Sequence, residues 1–270
     1  MFLKPYIDHQ TKYWNKKSSI SLQNYLITEE PLSIFIEGRL YSAGMRTPGD
    51  ELPLAAGLCL SKKIVDTADD FESLKFSINN NKSIVNITLK QSRKERVCNL
   101  YEKKELIDSP DSILISGSSI KELCKTVEPF NDATKISLKD ALCCIENLDE
   151  YQPLRSKTGA SHAACLYSEN LELLSAAEDV GRHNAVDKVI GKLLLDGKLQ
   201  RASIAALSSR VSAELAWKIA RARIPVILAV SRPTSLAVEL ALHLDMTVSC
   251  LAKGSGLYVF CGADRLTACS

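Results

Sequence analysis

No stretch of this chain is apolar for long enough to cross a bilayer. The longest strongly apolar run, "IPVILAV" from Ile224 to Val230, falls well short of the roughly 20 residues a spanning helix needs. The N-terminus, "MFLKPYIDHQTKYWNKKSS", has no apolar stretch of the kind found in a secretory leader. Charge of one sign is also missing: 34 Lys and Arg against 32 Asp and Glu leave a net charge of +2, and no basic run stands out beyond Lys16 and Lys17. Long nucleic acid is therefore not an expected partner. Nine cysteines include no C-x-x-C pair and none of the spacing of a disulfide framework, so neither a cysteine-built zinc site nor a stapled secreted fold is expected. These absences lead to the expectation of a soluble, cytoplasmic protein with no membrane span, whose partners are small ligands or other proteins.

What is present is a 270-residue chain with 46% hydrophobic residues, enough for a core in one large domain or two small ones. Up to about residue 105, the strand patterns "PLSIFIEG" and "KSIVNITLK" flank a helical stretch, "DELPLAAGLCLSKKIV", and read as a smaller α+β unit over residues 1–105. The segment "KKELIDSPDSILISGSSIKELCK" mixes Ser, Pro, Asp and Gly around a brief apolar run, and a mobile connector is expected over 106–136. From 137 to 270 the pattern is regular. "SLKDALCCIENL" is a helix with Ser137 as its N-cap, "HAACLYS" and "LELLSAAED" are strands, and "EDVGRHNAVDKVIG" opens a helix that Gly197 ends. Within that stretch, Asn184 followed by Asp187 resembles a capping pair. "RASIAALS", "VSAELAWKIARA", "IPVILAV", "SLAVELALHL" and "MTVSCLA" continue as strand, helix, strand, helix, strand. The expected fold class is α/β, a three-layer α/β/α sandwich with several parallel strands.

In such a fold ligands sit beyond the carboxyl ends of the strands, where turns lead into helices. Those turns read "EDVGRHN", "SSRVS" and "SRPTS", and each carries one arginine with hydroxyl or amide groups beside it: Arg182 with Asn184, Arg210 with Ser208, Ser209 and Ser212, and Arg232 with Thr234 and Ser235. If the three strands are neighbours, three guanidinium groups and three helix starts face one crevice. That combination suits a phosphate or pyrophosphate. The competing reading pairs each arginine with an acid such as Glu178, Asp179 or Glu214. His162 and His183 have no metal-ligand spacing and read equally as structural groups. A zinc-dependent deaminase is excluded, because "TGASHAA" has Ala164 where H-x-E needs its glutamate and no P-C-x-x-C follows.

The strings "TEEPLSIFIEG", "MRTPGDELPLAAGL", "TGASHAA", "EDVGRHNAVDKVIG", "SSRVSAELAWKIARARIPV" and "SRPTSLAVELA" together resemble the FdhD family of formate dehydrogenase accessory proteins, in order from about Thr28 to Leu266. The resemblance implies a cytidine-deaminase-like fold without zinc, assembled as a homodimer. It further implies a sulfur carrier that takes persulfide sulfur from a cysteine desulfurase and passes it to the bis-molybdopterin guanine dinucleotide cofactor before that molybdenum cofactor enters formate dehydrogenase. The cofactor contacts it suggests are Arg46, Thr47, His162, Gly181, Arg182, His183, Asn184, Ser208, Arg210, Arg232, Thr234 and Ser235. The chain departs from the family where it matters most: the sulfur-handling C-G-x-C-G corresponds to "SGSSI", which puts Ser116 and Ser119 at the two cysteine positions. A hydroxyl cannot carry a persulfide. Cys124, flanked by Lys121 and Lys125, is the nearby thiol, and its competing reading is a buried helix residue. Ser209 and Ala160 also stand where the family pattern has glycine. Two functions remain: a sulfurtransferase with a relocated thiol, or a cofactor-binding protein that has lost sulfur transfer.

Overall fold

The computed structural model describes residues 4–80, 82–102, 127–254 and 256–268, without the side chains of 98–102. Ser116, Ser119, Cys124 and most of the expected connector therefore lie outside the described residues. The chain opens with an antiparallel hairpin of β1 (Tyr6–Trp14) and β2 (Ser19–Ile27). A four-stranded sheet follows, built from β3 (Glu30–Ile36), β4 (Arg39–Arg46), β5 (Phe71–Asn79) and β6 (Lys82–Leu89) in the order β4-β3-β6-β5. Helix α1 (Glu51–Ser61) lies between β4 and β5 in the chain, and α2 (Gln91–Glu102) follows β6.

The second region starts at β7 (Ile136–Ser137), α3 (Leu138–Glu146) and α4 (Pro153–Thr158). Then come β8 (His162–Tyr167), β9 (Leu173–Asp179), α5 (Arg182–Leu195), β10 (Ile204–Leu207), α6 (Ala213–Arg221), β11 (Val226–Ala229), α7 (Ser235–His243), β12 (Thr247–Leu251), β13 (Leu257–Cys261) and β14 (Leu266–Thr267). The six longer strands form one sheet in the order β13-β12-β11-β10-β8-β9. Only β10, β11 and β12 are mutually parallel neighbours; β8 runs against both β9 and β10, and β13 against β12.

Period-two alternation decides which side chain meets which layer. Ala164, Leu166, Ala205, Leu207, Ile227 and Ala229 join the core shared with α1, α5, α6 and α7, whereas Cys165, Tyr167, Ile204, Ala206, Val226 and Leu228 pack on the face covered by α3. The same large core continues into the N-terminal sheet through Leu32, Ile34, Ile36, Val85, Ile87 and Leu89. The seam is the crossing of α1 and α5, where two glycines meet backbone. A Cβ on Gly57 would lie 2.1 Å from the Asp187 carbonyl oxygen, and one on Gly191 would lie 1.8 Å from that of Pro53. No side chain fits between these helices.

The caps answer the sequence reading residue by residue. Ser137 caps α3, accepting from the Asp140 N–H at 3.1 Å, and Gly197 (φ 66°) follows the end of α5. Asn184 is not a cap: Gly181 is the N-cap of α5 and Asn184 lies inside its first turn. Of the expected connector, residues 127–136 are described, with Val127 and Phe130 buried and the Phe130 N–H donating to the Leu244 carbonyl at 2.9 Å.

Candidate functional site

A cavity of about 350 Å³ lies where the N-terminal sheet and α1 meet the first turn of α5. Its apolar walls include Leu32, Ile34, Leu54 and Leu58, and its polar groups come from Arg46, His162, Gly181, Arg182, His183, Asn184 and Asp187. Its size falls in the range of small-ligand sites. Six of the twelve residues read from the sequence as cofactor contacts thus line one space.

The other six do not line it. Strand order explains the five from the later turns: the turn bearing Arg182 follows β9 at the sheet edge, and β8 separates it from β10, so the condition that the three strands be neighbours is not met. Arg210 is exposed, and Arg232 is exposed over the Tyr258 ring at 5.0 Å. Ser208 Oγ accepts from the Ala163 N–H at 2.8 Å, Thr234 Oγ1 caps α7 by accepting from the Ala237 N–H at 3.3 Å, and Ser235 is exposed. Thr47 Oγ1 accepts from the Val180 N–H at 3.0 Å, which ties the loop after β4 to the turn after β9. Arg46 lines the cavity from a buried position, paired with Glu51 at 3.0 Å and Glu30 at 3.4 Å and hydrogen-bonded to Ser83 at 3.0 Å.

The crowding of polar groups in "EDVGRHN" has a structural half and an open half. Glu178 accepts from the N–H groups of Leu154 and Arg155, at 2.7 and 2.8 Å, and so satisfies the start of α4. Asp179 is fully buried and accepts from the N–H groups of Thr47 and Gly181, from Asn184 Nδ2 and from Lys188 Nζ, all within 3.1 Å. At the cavity wall, Asp187 pairs with buried Lys218 at 2.6 Å and accepts from Ser61 Oγ at 3.1 Å. Burial pushes the Asp187 carboxyl upward, against the pull of Lys218 and Ser61. The sequence reading missed Asp179, Lys188 and Lys218 as a framework; the available signal was that Asp187 and Lys188 interrupt an otherwise apolar helix stretch.

The open half faces the cavity. Helix α5 begins at Gly181 with no side-chain cap, leaving first-turn N–H groups and the positive end of its dipole beside the cavity. Among the described residues, His162 Nδ1 and Arg182 Nε are buried atoms without a hydrogen-bond partner. Buried polar atoms normally find partners, so Arg182 Nε–H is suited to an incoming acceptor, and His162 Nδ1 donates to one in its Nδ1–H tautomer or when protonated. Burial first, then the charges of Arg182 and Arg155, hold the His162 pKa below its usual 6.5, so the imidazole is neutral at pH 7. His183 Nε2 lies 3.7 Å from Glu214, which links the first turns of α5 and α6. The assembly is a positively biased cleft with apolar walls and suits an anionic ligand bearing a flat or apolar portion. Among the described residues, no cluster of His, Cys, Asp and Glu is arranged to hold a metal ion, and no helix is long and apolar enough to cross a membrane.

Comparison with known proteins bears on the family and the fold. A sequence model of the FdhD/NarQ family matches residues 27–267. The sulfur carrier protein FdhD of Streptomyces coelicolor is 33% identical over 249 residues, covering 89% of this chain and 88% of that one. Its counterpart in Mycolicibacterium paratuberculosis is 32% identical, with 92% and 94% covered, and that of Saccharolobus solfataricus is 31% identical, with 90% and 91% covered. The fold is also similar to the crystal structure of a formate dehydrogenase accessory protein from Desulfotalea psychrophila, with a TM-score of 0.76 at 20% identity over 97% of this chain and 99% of that one.

Proposed function

Since the chain belongs to the FdhD/NarQ family, we propose that it is an accessory protein that carries a molybdenum cofactor to formate dehydrogenase, holding the guanine-nucleotide end of that cofactor at the start of α5. The observation that carries the reading is the pairing of unpartnered His162 Nδ1 and Arg182 Nε beside an uncapped helix N-terminus, in a cavity with apolar walls. Phosphate oxygens satisfy all three features at once, and the apolar walls accept a base. The cavity accommodates part of the bis-molybdopterin guanine dinucleotide cofactor, which is cargo here and not a resident group. The protein acts in the cytoplasm as a homodimer.

In this proposal sulfur arrives from a cysteine desulfurase. A Cys124 thiolate attacks the outer sulfur of the desulfurase persulfide, one S–S bond forms as the other breaks, and the desulfurase leaves as its thiolate. The serines at 116 and 119 favour a second reading, in which the cofactor is held and handed on with no covalent sulfur step.

Calorimetry with guanosine diphosphate tests the binding site. Arg182→Ala is expected to weaken binding at least about tenfold, since a lost charge-assisted hydrogen bond costs more than about 1 kcal/mol. Arg210→Ala, outside the cavity, is expected to weaken it less. Equal affinity of wild type and Arg182→Ala would remove the site.

A further inference from the structure

The polar groups of the cavity divide into two sets. His162, Arg182 and the start of α5 form its anion end. Two further lining residues, Arg46 and Asp187, have no part in that contact. They share the cavity with Leu32 and Ile34 of β3 and Leu54 and Leu58 of α1, aliphatic walls that suit a flat ring. Both are almost completely buried, at 1% and 3% exposure. A charged group at that depth is purely structural when its hydrogen-bonding positions are all taken, and here they are not. Arg46 Nη1 and Nη2 are committed to Glu30, Glu51 and Ser83, but its Nε is a buried donor without a partner among the described residues. Asp187 accepts from Ser61 at Oδ1 and from Lys218 at Oδ2. A carboxylate has about four lone-pair positions, so these two bonds leave acceptor capacity on the group.

We infer that Arg46 and Asp187 read the edge of a 2-amino-4-oxopyrimidine ring, the chemistry that guanine and a pterin share. The inference rests on the reading of the anion end as a phosphate site and adds what chooses the ring. That edge presents, in order, a carbonyl acceptor, a ring N–H donor and an exocyclic amino donor. The Arg46 Nε–H complements the carbonyl, and the Asp187 carboxylate complements the two donors. Adenine presents an amino donor in place of the carbonyl and a bare ring nitrogen in place of the N–H. It therefore sets donor against donor and lone pair against carboxylate. A site built this way discriminates strongly, because the wrong ring leaves buried polar groups unpaired. Lys218 on one side, and Glu30 and Glu51 on the other, hold the two charged groups in place against the cost of burying them.

Calorimetry on the full chain with a series of diphosphates tests the proposal. Guanosine diphosphate is expected to bind at least about tenfold more tightly than inosine diphosphate, which lacks only the amino group, and at least about 100-fold more tightly than adenosine diphosphate. 6-Hydroxymethylpterin diphosphate carries the same edge and distinguishes the two sources. Tighter binding than guanosine diphosphate keeps the edge reading and replaces guanine by a pterin; weaker binding keeps guanine. Asp187→Asn exchanges an acceptor for a donor and should shift preference toward xanthosine diphosphate, which has a carbonyl in place of the amino group, by at least about 100-fold in the affinity ratio to guanosine diphosphate. Both ligands are measured on one preparation, so any loss of folded protein cancels from that ratio, and the wild-type series decides alone if the variant does not fold. Equal affinities for the guanosine, inosine and adenosine diphosphates would overturn the edge reading and leave the phosphate site standing. Binding of none of the diphosphates would overturn both. An unchanged ratio in folded Asp187→Asn would remove Asp187 from this role.

Discussion

Arg182 and His162 stand at the same cavity, and the Arg182 charge adds to burial in keeping the imidazole neutral. Because the guanidinium is one cause of the low His162 pKa, Arg182→Ala is expected to move that pKa back toward 6.5, which proton NMR titration of the imidazole would read. A bound phosphate acts in the same direction, so nucleotide binding should take up a proton and tighten as the pH falls toward 6. The linkage to folding has the opposite sense. Above pH 6.5 the histidine is neutral in both states. As the pH falls through 6.5 toward the lowered folded value, the unfolded chain binds a proton that the folded chain does not, and stability is lost across that window. Urea unfolding from pH 7.5 to 5 should show this loss, and His162→Gln should flatten it. Lys218 gives a third test at this scale. Lys218→Met leaves the buried Asp187 carboxylate without its cation, an expected cost of about 3–5 kcal/mol; adding Asp187→Leu should recover much of it in the same denaturation assay.

The element that shapes the site is the α1–α5 pair, in contact through Gly57 and Gly191. A methyl group at either glycine lands on the backbone of the opposing helix, so Gly57→Ala and Gly191→Ala must push the helices apart. The expected outcome is a loss of more than about 2 kcal/mol in thermal or urea unfolding, together with weaker nucleotide binding, because Leu54, Leu58 and Asp187 on these helices line the cavity. A similar Gly→Ala change at exposed Gly254, which has open space around it, tests strain from its φ of 88° and no packing. The elements differ in how legible they were. Helices α3, α6 and α7 and strands β8 to β12 were read from period and caps, since each buries one regular face or both. The β1–β2 hairpin was not read: its apolar residues alternate on one face, but His9, Thr11 and Asn24 break the pattern and its turn, "NKKS", lacks a glycine signal.

Across the whole molecule, cofactor binding and sulfur handling are assigned to different places, and this separation is testable. The proposed nucleotide contacts include His162, Arg182 and the start of α5, and the described lining of their cavity includes no cysteine. Cys124→Ser should therefore leave guanosine diphosphate affinity unchanged. Incubation with a cysteine desulfurase and cysteine, followed by peptide mass mapping, should add sulfur at Cys124 if the carrier reading holds, and nowhere near Ser116 or Ser119. Buried thiols elsewhere are poor competitors: burial pushes Cys144 and Cys165 up to about 12, and Cys59 further, so little thiolate is present at neutral pH. Retention of nucleotide binding without any sulfur adduct would leave the binder reading in place.

The sequence by itself determined the class of fold, the succession of strands and helices after residue 137, and the polar start of α5 as the place to look. These follow from local periods, caps and motif strings, which act over a few residues. It also showed that no C-G-x-C-G string occurs in the chain, which is a matter of residue order. Tertiary structure alone decided which predicted contacts share a space. Strand order put β8 between β9 and β10 and left Arg210 and Arg232 outside the cavity, while Arg46, distant in sequence, came to line it. It also separated the acids of one short motif into a helix cap, Glu178, and a buried hub, Asp179. Strand order and burial depend on contacts between residues more than 100 positions apart, such as Thr47 with Asp179 and Ser61 with Asp187, and no local pattern encodes those.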